Sequence, residues 1–216
     1  MKSTNIVLKG RRYRGLTTPP TTWEDISRYR NNGTLVGATW VRLPSGLWVL
    51  SFDGNDYISV ADADNLDFTG NYTIILWATL STVASNMGLF SKLVDANHCY
   101  AMHYQTSTKN WFTIIRKGGI NYQKAFPTNT QSVINVPHCI ACRMSGTTVS
   151  LFDNGVKYTL ESYGGWAAPT NEDLRIGVYA GYYYRGLIQG YREINTDLSD
   201  EQIISVFSQE RHLFGV

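Results

Sequence analysis

The chain breaks again and again into short runs of strand-forming residues, each closed by a turn sequence, and this cadence fixes the fold class before any single motif does. Residues 47–52 run into Asp53-Gly54-Asn55-Asp56, and 57–60 return, which reads as a hairpin. The longest run is 71–80, where Ile74, Leu76 and Ala78 alternate with Thr73, Ile75 and Trp77, so both of its faces should be covered. Further strands are expected at 6–8, 34–40, 88–92, 100–104, 111–116, 139–144, 148–152, 156–160, 174–178 and 187–194, with Asn32-Gly33, Lys117-Gly118-Gly119 and Asp153-Asn154-Gly155 as turns. Asn32-Gly33 suits a backbone with positive φ. Only one helix is signalled. Ser199 caps it, a carboxylate follows, and Ile203, Val206 and Phe207 form a stripe before Arg211. Many short strands without alternating helices point to an all-β sandwich of two packed antiparallel sheets with one short C-terminal helix. Residues 1–22 read as a first strand and an extended basic arm, and 23–216 as the sandwich, with no repeat or linker between them.

Composition narrows the function classes. An apolar fraction of 43% with fourteen Tyr and six Trp excludes disorder and suits strands. The net charge is only +2, its basic excess lying mainly in Lys9-Gly10-Arg11-Arg12-Tyr13-Arg14 with Arg28 and Arg30, a small footprint for nucleic acid. No apolar run approaches the roughly 20 residues of a membrane span. The first eight residues lack the apolar run and cleavage site of a signal peptide, so the protein either stays inside the cell or leaves it by a route the sequence does not show, for example as part of a particle.

Three cysteines leave an odd count. Cys139, Cys142 and His138 lie within five residues, a spacing that invites zinc. On a strand, however, positions 139 and 142 point to opposite faces. Small buried thiols, with a Cys99 disulfide as an option, are the simpler account.

Phe52-Asp53-Gly54-Asn55-Asp56-Tyr57-Ile58-Ser59-Val60, Gly88-Leu89-Phe90-Ser91-Lys92, Gly146-Thr147-Thr148-Val149 with Asp153-Asn154-Gly155, Leu174-Arg175-Ile176-Gly177 and Leu198-Ser199-Asp200-Glu201-Gln202-Ile203 stand in one order and spacing. In that order they resemble the laminin-G-like branch of the concanavalin A-like lectin/glucanase superfamily over about residues 23–207. The resemblance implies a jelly roll, an inward Trp on the strand ending at Trp77-Ala78, and a structural calcium ion near the Asp25-Ile26-Ser27 turn. Asp25 and the Asn31 and Gly33 carbonyls would be its ligands; the plainer role of Asp25 is to cap its own turn. The sequence departs from the family at Gln189 and Gly190, which replace two acidic residues, and at Pro137, which replaces a Trp.

Three kinds of function follow. Catalytic members of the superfamily use Glu-x-Asp-x-x-Glu, which this chain lacks, and Glu172-Asp173, Glu161 and Glu193 form no obvious pair. A binding module needs loop aromatics to stack on a carbohydrate or another surface ligand. Tyr182, Tyr183, Tyr184 and Arg185 between glycines, with Trp166 and Tyr122, are the candidates, while Trp48, Trp77 and Phe152 read as core. The alternative is an assembly protein, a homo-oligomer or a subunit of a viral or cell-surface particle. The reading taken forward is a binding module, with a polysaccharide-degrading enzyme as the third option.

Overall fold

The computed structural model describes residues 4–10, 20–93, 99–117, 119–126, 133–162 and 171–216. Along the chain lie β1 (Thr4–Lys9), β2 (Thr22–Trp23), β3 (Gly33–Val36), β4 (Thr39–Arg42), β5 (Trp48–Asp53), β6 (Tyr57–Val60) and β7 (Tyr72–Leu80). Next come β8 (Met87–Leu93), β9 (Cys99–Gln105), β10 (Asn110–Lys117), β11 (Ile120–Ala125), β12 (Pro137–Ser145), β13 (Thr148–Asp153) and β14 (Val156–Ser162). The chain ends with β15 (Leu174–Ile176), β16 (Val178–Tyr179), β17 (Tyr182–Tyr183), β18 (Arg185–Ile194) and the helix α1 (Asp200–Phe214). Among the described residues these strands make two eight-stranded sheets and a small ribbon. The first sheet runs β14-β13-β12-β7-β18-β5-β4, with β1 also on β18; the second runs β11-β10-β9-β8-β15-β6-β3-β2; β16 and β17 form the ribbon. This is the expected jelly-roll sandwich.

The sheets bury one face each against the other. Ile74, Leu76 and Ala78 of β7 meet Phe90, Tyr100 and Met102 from the opposite sheet in one continuous core. Every residue of β7 is buried, because its other face is also covered. There α1 packs over Ile75, Trp77, Cys139 and Phe152 through Ile203, Val206, Phe207 and Phe214. Ser199 and Gln202 form the full capping box that starts this helix, and Gly215 at φ 81° stops it. Trp77 therefore faces the helix and not the interior between the sheets. Its ring lies 4.6 Å from that of Phe214, and its indole N–H donates to Glu210 at 3.0 Å. Glu210 in turn pairs with Lys9 and Arg192, tying α1 to β1 and β18.

Two sequence expectations fail at the same corner. The segments 47–52 and 57–60 are not a hairpin: β5 pairs with β4 and β18, whereas β6 pairs with β3 and β15 in the other sheet. The expected strand 34–40 is likewise split, β3 lying in one sheet and β4 in the other. Both crossings meet at Asp56. Its carboxylate accepts the Asp53 amide at 2.7 Å, and a Cβ on Gly37 (φ +83°) would sit 2.0 Å from it. The positive φ expected around Asn32-Gly33 falls instead on Arg30, at 57°. Gly33 is a strand residue whose missing Cβ leaves room for Ile58 Cγ2.

The cysteines are free and separate. Cys142 points into the core between the sheets and Cys139 toward the helix, the opposite faces that strand geometry requires, while Cys99 lies under Tyr179 on the outer side of the second sheet. The optional Cys99 disulfide does not form. Burial pushes the Cys142 thiol up to about 11 and that of Cys139 further still. Among the described residues no helix is long and apolar enough to cross a membrane.

Candidate functional site

The two sheets differ on their outer faces. Among the described residues, that of the first carries α1, whereas that of the second carries the ribbon β16–β17 and a set of polar and aromatic side chains. Strand alternation decides which residues stand there. Ile58 and Val60 face the core, so Tyr57 and Ser59 face out; Leu174 and Ile176 are buried, so Arg175 between them is exposed.

The ribbon is built by its turn and by a glycine beneath it. Ala180 (φ 49°) and Gly181 (φ 83°) both have positive φ, as a type I′ hairpin turn demands, and pair Val178 with Tyr183 and Tyr179 with Tyr182. The ribbon's backbone then rests on β8 at Gly88, where a Cβ would meet the Tyr179 nitrogen at 2.1 Å. The Ser91 hydroxyl donates to the Val178 carbonyl at 2.9 Å, and the Gly177 amide to that of Leu89 at 2.8 Å.

Tyr179 turns toward the sheet. It stacks on His103 with centroids 5.3 Å apart, and His103 stacks on Phe112 at 5.4 Å. Arg116 donates to the Tyr179 hydroxyl at 3.1 Å. Burial under this stack holds the His103 imidazole down at about 4, so it is neutral at physiological pH.

On the other side of the ribbon, Tyr182 is 47% exposed and Tyr183 is half-buried, with its ring 6.5 Å from that of Tyr57. The Arg175 guanidinium lies 5.6 Å from the Tyr57 centroid, a cation–π distance. Beside them is a cavity of about 160 Å³ lined by Ser91, Glu172, Asp173, Arg175, Gly181 and Tyr183 among others. Asp173 is held in it by the Ser59 hydroxyl at 2.8 Å and the Asp62 amide at 3.2 Å. A second cleft, under α1 beside Lys9, Trp77 and Phe214, has a volume of about 30 Å³, room for little more than water.

The sequence candidates are thus only partly brought together. Tyr182 and Tyr183 stand on this face. Arg185 is exposed at the neighbouring corner, its guanidinium lying over Gly54. Tyr184 belongs to the interior: it is fully buried and meets Phe52 edge-on at 6.0 Å, so it cannot offer a ring to an outside ligand. Tyr122 pairs with Ile115 and packs toward the core between the sheets, away from the ribbon. Trp166 lies outside the described residues. Sequence reasoning missed Tyr57, Arg175 and Asp173, although the alternation of Tyr57-Ile58-Ser59-Val60 and Leu174-Arg175-Ile176 carries the signal for the first two.

The expected calcium ligands form a different structure. Asp25 is buried, and four donors converge on its carboxylate: the amides of Val7, Ser27 and Asn31 and the Ser27 hydroxyl, at 2.7–2.8 Å. Those four donors take up both oxygens of the Asp25 carboxylate in this arrangement. Asp25 caps its turn and binds β1 to it. Among the described residues no three His, Cys, Asp or Glu side chains gather as a metal site.

The fold is a two-sheet antiparallel jelly roll. The chain belongs to the concanavalin A-like lectin/glucanases superfamily, whose laminin-G model matches residues 52–204. A search among curated proteins finds no match. Among solved structures, domain 4 of the extracellular arabinanase AbnA from Geobacillus stearothermophilus, in complex with arabinotriose, aligns with a TM-score of 0.74 at 15% identity. That alignment covers 95% of this chain and 98% of that one. The receptor binding domain of botulinum neurotoxin C/D mosaic serotype aligns at 0.72 and 13% identity, over 96% of this chain and 51% of that one. Trypanosoma rangeli sialidase in complex with the inhibitor DANA aligns at 0.69 and 14%, over 96% of this chain and 33% of that one. At these identities the likeness is one of fold.

Proposed function

We propose that this domain is a non-catalytic recognition module that takes a carbohydrate on the outer face of its second sheet, over Tyr57, Tyr182 and Tyr183 and beside Arg175. The observation that carries the reading is the ribbon, a short hairpin held on β8 that presents two tyrosines next to a cavity lined by polar side chains. Aromatic rings accept the apolar face of a sugar, and neighbouring carboxylate, guanidinium and hydroxyl groups fix its hydroxyls. The arabinotriose complex of the arabinanase domain and the receptor-binding role named for the toxin domain support the same class of function. Glycoside hydrolysis calls for a pair of carboxyl groups. In this cavity the two acids, Glu172 and Asp173, are neighbours in sequence, and Asp173 is held by the Ser59 hydroxyl and the Asp62 amide.

A glycan-array screen of the purified protein, repeated with Tyr183→Ala, tests the proposal. Ligands bound by the wild type should be lost or weakened about fivefold or more in the variant, the loss of roughly 1–3 kcal/mol expected when a stacking ring is removed. Binding that Tyr183→Ala and Tyr57→Ala leave intact would place the site elsewhere.

A further inference from the structure

β18 carries a carboxyl group into the core. Glu193 is fully buried between the sheets, two residues from Tyr191 and on the same face. The Tyr191 hydroxyl donates to Glu193 Oε1. From the second sheet, the Tyr100 hydroxyl lies 3.1 Å from the same oxygen and 3.0 Å from the Leu66 carbonyl. Glu193 Oε2 has no partner.

Counting protons separates the two charge states. A phenol has one proton to donate. If Glu193 is ionised, Tyr100 must choose between the carboxylate and the Leu66 carbonyl, so one buried acceptor is unpaired and Oε2 is a bare anionic oxygen. If Glu193 is protonated on Oε1, it donates to Tyr100, which donates to Leu66, while Tyr191 still donates to Oε1. The Leu66 carbonyl then keeps its donor, and the oxygen left unpaired, Oε2, is a neutral carbonyl instead of part of an anion.

The surrounding charges leave this balance in place. Burial pushes Glu193 up to about 7, against the pull of the Tyr191 and Tyr100 hydroxyls and of Lys92 on β8. Lys92 is itself buried and paired with Asp62 and Asp67, and Asp67 opposes ionisation of Glu193. The Tyr100 and Tyr191 phenols, with Tyr72 of β7 beside them, are raised by burial and stay protonated.

We propose that Glu193 is a proton-dependent clamp between the sheets: neutral, it sits in the buried Tyr191–Glu193–Tyr100 network that joins them, and ionised, it leaves a charge in the core with Oε2 unpaired, which destabilises the sandwich. Its folded-state value is raised above the ordinary 4.5, so the stabilisation is complete below that pH and is lost as pH rises through about 7. His103 acts in the opposite sense. Its folded value is depressed to about 4, so it adds stability as pH rises toward 6.5. Comparison with a Glu193 variant therefore isolates the clamp from the background.

The experiment is denaturant unfolding of the wild type and Glu193→Gln from about pH 5 to 8. The unfolding constant of the wild type should rise over that range by roughly 70-fold relative to the variant's. A ratio that does not change with pH overturns the proposal. Carbon-13 NMR titration of the Glu193 carboxyl in the folded wild type gives a reading that needs no variant. A midpoint near 7 supports the clamp, and one in the ordinary carboxylate range overturns it. In Tyr100→Phe the hydroxyl that favours the carboxylate is gone, so this midpoint should rise; a midpoint that stays or falls would also count against the clamp.

Discussion

Alanine at Gly88 should lift the tyrosine ribbon off the second sheet and abolish ligand binding without altering any side chain of the binding face. The added Cβ would lie 2.1 Å from the Tyr179 nitrogen and 2.4 Å from the Val178 carbonyl carbon, both backbone atoms that no rotamer change can move. The ribbon must therefore shift, breaking the Ser91–Val178 and Gly177–Leu89 hydrogen bonds and the stack of Tyr179 on His103. Overpacking of this kind costs about 3 kcal/mol. It also has a local signature. Once Tyr179 no longer covers it, the His103 imidazole should titrate well above about 4 and toward its ordinary 6.5. Proton NMR of the His103 ring and ligand titration of the same sample check both effects. A Gly88→Ala protein that binds normally with an unmoved His103 would mean that the ribbon is not fixed by that contact.

The second large effect is at Asp25. Truncation to alanine removes the acceptor of three backbone amides and of the Ser27 hydroxyl, and releases β1 from the turn at 25–31. Each stranded buried donor costs roughly 1–3 kcal/mol, part of it recovered by entering water, so about 4 kcal/mol should be lost in urea unfolding. Asp25→Asn should recover little, because its amide presents hydrogens to a ring of donors. Loss below about 1 kcal/mol in both variants would show that the carboxylate is not the turn's anchor.

The parts of the fold written in local patterns were legible. The helix cap at Ser199, the two-sided burial of β7 and the opposed Cys139 and Cys142 each depend on a few consecutive residues with one geometric consequence. What failed depends on partners distant in sequence. Asp53-Gly54-Asn55-Asp56 is a sound turn, but a turn does not state whether the returning strand pairs with its predecessor or crosses to another sheet. Here Asp56 and Gly37 pack two crossings together, and the partners of β6 come from β3 and β15. Trp77 is a core residue as the sequence suggests, but the inward direction that the family resemblance implies does not hold, because α1 makes the opposite face of β7 a core as well.

The site follows the same division. Three consecutive tyrosines cannot all be buried, and the sequence supports that much. Which one is buried depends on where the ribbon ends and β18 begins: Tyr184 falls in the gap between them, and its ring enters the sandwich against Phe52. Tyr57 and Arg175 carry an alternation signal but no motif, and only the sheet order β8-β15-β6 places them side by side. Asp25 reads as a cation ligand or a turn cap with equal ease until the Val7 amide, 18 positions away, is seen to point at it.

The most direct test of the account is hydrogen–deuterium exchange of the wild-type domain with and without a saturating glycan identified on the array. Slowed exchange in 57–59, 173–175 and 178–185, with the helix 200–214 unchanged, is the predicted result. Protection confined to the helix side, or to strands of the first sheet away from the ribbon, would contradict the assignment of the second sheet's outer face as the binding surface.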